Sequence, residues 1–92
     1  MTRFEIFVEK INAGDKTVSE KFEHLFRSVF KDREQFILRQ LYGIGCYARD
    51  KKDIGSEIGL TEKRISQIQE KCLVKFEDYL IENPDMWPDE LK

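Results

Sequence analysis

Proline is missing from the whole chain up to Pro84. The strongest helix breaker is therefore absent from every stretch that could build a core. Glycine is scarce too, and four of the five glycines, Gly43, Gly45, Gly55 and Gly59, gather in one short region. Alternation of apolar and polar residues never survives beyond about four positions, which argues against strands. No apolar run approaches the length of a transmembrane helix, and the polar N-terminus lacks a signal-peptide pattern, so no membrane contact is expected. The two cysteines, Cys46 and Cys72, form no metal-ligand pair. They could in principle be joined, but without a secretion signal, reduced thiols and a cytoplasmic location are expected.

The chemistry of catalysis is scarce as well. His24 is the single histidine and belongs to no constellation of Cys, Asp or Glu at metal spacing. Neither cysteine has a His/Asn partner, and there is no P-loop, Ser/His/Asp set or evident carboxylate pair. No enzyme activity, metal or cofactor is expected.

What remains is a chain of 92 residues, 40% hydrophobic and 37% charged, which suits one small helical domain. Its net charge of −2 is not that of a strong non-specific nucleic-acid binder. The distribution says more. Arg49, Lys51, Lys52, Lys63, Arg64, Lys71 and Lys75 outweigh Asp50, Asp53, Glu57, Glu62 and Glu70 between residues 49 and 76. Beyond them, Glu77, Asp78, Glu82, Asp85, Asp89 and Glu90 face Lys92 alone.

Phe4, Phe7, Val8 and Ile11 have amphipathic helix spacing, and Asn12 to Asp15 with Gly14 reads as the stop. Thr17-Val18-Ser19-Glu20 fits a capping box for a second helix, with Val18, Phe22, Leu25, Phe26, Val29 and Phe30 along one stripe. Asp32 and Gln35 suggest the cap of a third helix that turns Phe36, Ile37, Leu38 and Leu41 inward and ends at Gly43. The expected fold is all-α, with four or five helices. Residues 1–16 hold the first helix and a linker, 17–82 the main domain, and 83–92 an acidic tail whose Trp87 needs a docking site to be ordered.

The main domain is organised around residues 50–76. Asp50 caps a short helix, Gly59 allows a left-handed turn, and Thr61 caps a longer helix. Counted from Lys51, apolar residues at Ile54, Ile58, Leu60, Ile65 and Ile68 bury the inner angle of a helix-turn-helix, and Gly55 lets the helices cross closely. The longer helix continues through Cys72, Leu73, Phe76, Tyr79 and Leu80 to Asn83-Pro84.

From about Phe30 to Phe76 the chain resembles the fourth conserved region of the bacterial sigma-70 family, the domain that reads the −35 promoter element. Asp32-Arg33-Glu34-Gln35-Phe36-Ile37-Leu38-Arg39-Gln40-Leu41-Tyr42-Gly43 is similar to the opening helix and its stop, Asp50 to Leu60 to the supporting helix and turn. Thr61 to Leu73 is similar to a recognition helix of pattern T-x-x-R-[IV]-x-Q-I-x-x-x-A-L. The resemblance covers about half the chain. Primary members of the family usually carry arginine, glutamate and arginine where this chain has Glu62, Lys63 and Ser66, whereas Gln67 is kept. The base preference is therefore left open. The family's promoter-melting region has no counterpart here, so the resemblance implies either a fragment or a small stand-alone sigma-like protein of phage or bacterial type.

The candidate base-reading residues are Glu62, Lys63, Ser66 and Gln67, on the outer face of the recognition-type helix. Glu62 can accept from cytosine, Lys63 can donate to guanine, and Gln67 can pair with adenine. The candidate phosphate contacts are Arg49, Lys51, Lys52, Thr61, Arg64 and Lys71. The resemblance further implies that the helices before the helix-turn-helix grip the β flap of RNA polymerase, with Phe22, Phe26, Phe30 and Ile37 as the apolar part of that surface. Read from the residues alone, those aromatics are more often plain core than a binding surface. The expected partners are double-stranded promoter DNA, RNA polymerase core, and other sigma-like or anti-sigma proteins, in the cytoplasm of a bacterium or an infected cell. Two other readings stay open: an autonomous regulator dimerising through the phenylalanine helices, and a polymerase-binding interaction module that no longer reads DNA.

Overall fold

The computed structural model describes residues 2–87. It is all-helical: α1 (Arg3–Asn12), α2 (Lys16–Val29), α3 (Asp32–Tyr42), α4 (Lys51–Ile58) and α5 (Glu62–Glu82), followed by a 3₁₀ turn at Pro84–Met86. Among the described residues there is no strand.

Local chemistry sets the ends of these helices. Thr2 caps α1 by accepting the Glu5 N–H, and the Glu5 carboxylate accepts the Thr2 N–H in return. The cap of α2 is Asp15, whose Oδ1 accepts the Val18 N–H at 3.0 Å. The helix therefore starts before the expected Thr17 box: a carboxylate with extended backbone was already in place upstream. The third helix also differs from expectation. Lys31 is its cap residue, its N–H donating to Glu34, while Asp32 is already helical and Gln35 donates to the Phe30 carbonyl. Gly43 and Gly59 end α3 and α4 in the left-handed conformation, at φ 67° and 74°.

The core is a cluster of aromatic rings around the distal half of α5. Phe76 is fully buried, and its ring lies 5.2 Å from Phe4, 5.7 Å from Phe7 and 6.2 Å from both Phe22 and Phe30. Edge-to-face and offset packing at these separations adds to the area buried. Because α1 lies over α2 and α5, it closes the core, with Phe4 and Phe7 inside. Trp87 docks on this assembly, 5.1 Å from the Phe7 ring and under the Arg3 guanidinium at 5.7 Å. Arg3 also pairs with Glu77 at 3.0 Å, so both ends of the described chain meet on the distal half of α5. The rest of the expected acidic tail, 88–92, lies outside the described residues.

Polar clamps orient the remaining helices. Arg39 of α3 donates two hydrogen bonds, at 2.9 and 2.8 Å, to the Glu23 carboxylate of α2 and stacks over Phe26 at 4.7 Å. Gln69 of α5 donates to the Tyr42 hydroxyl at 3.0 Å. Between α4 and α5 the backbone itself is the contact: Gly55 is buried, and a Cβ there would run into the Leu60 carbonyl oxygen.

Three outcomes follow. Phe76→Ala removes the ring that four others pack on and is expected to cost about 3–5 kcal/mol in urea unfolding. Gly55→Ala gains about 1 kcal/mol of helix propensity. It meets a backbone atom that cannot move aside, so net destabilisation of about 1–3 kcal/mol is expected in the same assay. The Arg39 hydrogen bonds, together with the charges of Arg39 and Arg27, hold the Glu23 carboxyl below its ordinary value against the opposing effect of burial. A depressed folded-state pKa gives stability that is present above about pH 4.3 and is lost as pH falls through the folded value. Glu23→Gln should flatten this acid limb of the stability profile.

Candidate nucleic-acid interface

The helix-turn-helix is built from α4, the Gly59–Leu60 turn and α5. Asp50 Oδ1 caps α4 through the Asp53 N–H at 2.8 Å, and Thr61 Oγ1 caps α5 through the Arg64 N–H at 3.1 Å. Ile54, Ile65, Ile68 and Cys72 are buried in the angle between the helices and α3. Burial, with Glu34 nearby, pushes the Cys72 thiol up to about 12, so it is a neutral packing group.

With that face turned inward, Glu62, Lys63, Arg64, Gln67 and Lys71 are exposed and Ser66 is half-buried. Among the described residues none of these six side chains enters a hydrogen bond or an ion pair. Glu70 pairs with neither Lys63 nor Arg64. The donors and acceptors from Glu62 to Lys71 therefore point outward unspent, along about 14 Å of helix. Lys52 is exposed and Lys51 half-buried at the start of α4. The Thr61 oxygen is engaged as a cap acceptor, which leaves its O–H free to donate.

Two groups of expected site residues are placed elsewhere. Arg49 is turned into the fold. Its guanidinium donates to Gln40 Oε1 at 2.9 Å, Glu57 Oε1 at 3.2 Å and the Asp53 carbonyl at 3.4 Å. This brackets the loop between α3 and α4 and engages the charge internally, so Arg49 holds the fold and is not a free cation like Lys52. Phe22, Phe26 and Ile37 have no exposure and Phe30 has 4%. They cannot form a polymerase-facing surface, because α1 and α5 cover them. The same burial removes the phenylalanine faces through which an autonomous regulator was to dimerise.

The structure also adds residues. A cavity of about 230 Å³ lies between the start of α3 and the outer side of α5, lined by Lys31, Arg33, Glu34, Arg64, Ile68 and Lys71. Four cations surround one carboxylate. Burial opposes charge on Glu34, but the Lys31 N–H and Lys75, at 3.5 Å, hold its carboxyl below the usual range, so it is ionised and already partnered. The cavity is therefore cationic beside the outward face of α5, a disposition that suits an anion such as a backbone phosphate. Lys31 and Arg33 are far from Arg64 and Lys71 in sequence, and no local pattern links them.

Comparisons with protein-family models, curated proteins and solved structures find no match to this chain.

Arg33→Gln and Lys71→Gln are each expected to weaken binding to duplex DNA of any sequence and to lower the slope of log K against log salt by about one. Arg49→Gln should instead lower thermal stability and leave that slope unchanged.

Proposed function

We propose that this chain is a sigma region-4-like transcription initiation protein that reads promoter DNA through its helix-turn-helix and acts together with RNA polymerase. The observation that carries the DNA half is the unspent outward face from Glu62 to Lys71, flanked by the cationic cavity of Lys31, Arg33, Arg64 and Lys71. A major groove about 12 Å wide admits a helix of this kind. Lys63 and Gln67 supply donors to base edges, and Gln67 can also accept. Glu62 accepts only, and among bases its natural partner is the amino group of cytosine. The cavity cations, Lys52 and Thr61 fix register on the phosphates without reading sequence.

The polymerase half rests on the resemblance of residues 30–76 to the sigma-70 family. Its contact surface lies outside Phe22, Phe26, Phe30 and Ile37. Tyr47, in the loop between α3 and α4, is 96% exposed and offers apolar area elsewhere. Such a factor would work in the cytoplasm beside other sigma-like or anti-sigma proteins. No helix among the described residues is long and apolar enough to cross a membrane.

A second reading is favoured by one observation, the carboxylate of Glu62 at the tip of the reading face. A protein module that keeps this fold and binds polymerase without reading DNA would tolerate an anion there.

Titration of fluorescent promoter-length DNA, with and without polymerase core, at two salt concentrations separates the readings. The sigma-like reading expects salt-sensitive binding that becomes sequence-selective when core is present. Glu62→Arg is then expected to change the preferred bases. Core binding with no DNA preference, unaltered by Glu62→Arg, would move the assignment to the interaction module.

A further inference from the structure

The outward face of α5 does not end at Lys71. Successive residues of an α-helix advance by about 100°, so the stripe through Lys63 and Gln67 continues through Glu70, Val74, Asp78 and Ile81. Its character changes along the way. Val74 is 61% exposed and Ile81 67% exposed, against a core in which every other large aliphatic of α5 is at least half-covered. The two lie a heptad apart, about 10 Å along the axis. Ile81 also forms one wall of a cavity of about 320 Å³, lined with Leu80, Pro84, Trp87 and Arg3. The stripe thus runs into a concave apolar notch.

The rim of this surface is acidic. Glu70, Asp78, Glu82 and Asp85 are exposed, and among the described residues none of them enters an ion pair. Glu77 is paired with Arg3. The cations on the flank are Arg3, which lines the notch and is held by Glu77; Lys71, at the cavity described above; and Lys75, which is held by Glu34 and lies over the Phe30 ring at 5.9 Å. Lys21 reaches the rim only to donate to the Asp85 carbonyl. A nucleic-acid backbone is repelled by such a rim, and a bare apolar pair in water has nothing to gain from exposure.

We propose that the distal outward face of α5, Val74 and Ile81 with the Leu80–Trp87 notch inside a rim of Glu70, Asp78 and Glu82, docks a cationic amphipathic helix of a partner protein. The occupant follows from complementarity. An apolar side chain enters the notch and a second, one heptad away, covers Val74. Lysines or arginines beside them meet the unpaired carboxylates. The central apolar anchors carry affinity and the charged rim carries selectivity and rate. Because the same helix presents Lys63 and Gln67 at its other end, the partner would lie against the protein next to any ligand bound there. This inference does not depend on the DNA reading.

The test uses the full chain and two labelled synthetic helical peptides with the same heptad-spaced leucines, one flanked by lysines and one by glutamates. Fluorescence anisotropy should show the lysine peptide binding and the glutamate peptide not. Val74→Ser/Ile81→Ser should weaken binding by about tenfold or more. Both sites are exposed, so the fold is retained, and circular dichroism checks this. Asp78→Lys/Glu82→Lys should reverse the preference toward the glutamate peptide. Amide shifts in the ¹⁵N-labelled protein should map to residues 70–87. Equal binding of both peptides, no binding of either, or shifts confined to another face would overturn the proposal. So would concentration-dependent self-association abolished by the serine pair, since the occupant would then be a second copy.

Discussion

The packing of aromatic rings on Phe76 is the constraint on which the rest of the molecule depends. That residue stands on the helix that also carries the outward face from Glu62 to Lys71. Rings from α1 and α2 close on it from several sides. Protein interiors are packed near crystal density and resist small displacements. The distal half of α5 is therefore held in a fixed orientation by the core, and the proximal half is a continuation of the same rigid rod. The angle at which Glu62 to Lys71 leave the molecule is set by hydrophobic packing well away from them. Tyr42 and the Gly55 crossing then restrain the proximal half individually.

This arrangement divides α5 by chemistry. Toward its start, the outer surface is rich in donors and borders a cationic cavity. Toward its end, carboxylates and two exposed aliphatic residues replace them. The small net charge of −2 hides that division, because opposite fields at the two ends nearly cancel. A single helix that must both complete a core and present two outer surfaces has little freedom left in its sequence. Every third or fourth position is committed to Ile65, Ile68, Cys72, Phe76 or Leu80, and outward chemistry is written in the gaps.

How far the sequence could be read depended on the range of the physics involved. Caps and turns are local. Asp50, Thr61, Gly43 and Gly59 could be placed because each acts on groups within four residues. Gly55 was legible for a related reason, since the turn that brings Leu60 back on it is short. Where two local signals competed, at Asp15 and Thr17, spacing alone could not choose between them. The apolar stripe of Phe22, Phe26 and Phe30 was visible, but periodicity tells which face is apolar and not what covers it. The cover is α1, joined through the short turn at Ala13 to Asp15, together with Phe76 of α5. Arg49 reads as a free cation until folding brings Gln40 and Glu57 to its guanidinium. Lys31 and Arg33 join Arg64 and Lys71 only through tertiary packing, and Trp87 meets Phe7 across nearly the whole chain.

That last contact has a topological consequence. Arg3 donates to Glu77 and lies over Trp87, so the two ends of the described chain are neighbours in space. They meet at one pole of the molecule, and Glu62 lies about 22 Å up the helix from Glu77 toward the other. Thr2 and Trp87 thus share one pole of the described structure, and Glu62 lies toward the opposite one. A short linker could close the chain into a ring at small entropic cost, and new ends could then be opened in the exposed loop around Tyr47 without cutting a helix. The backbone is in effect a circle that happens to be interrupted beside its own aromatic core.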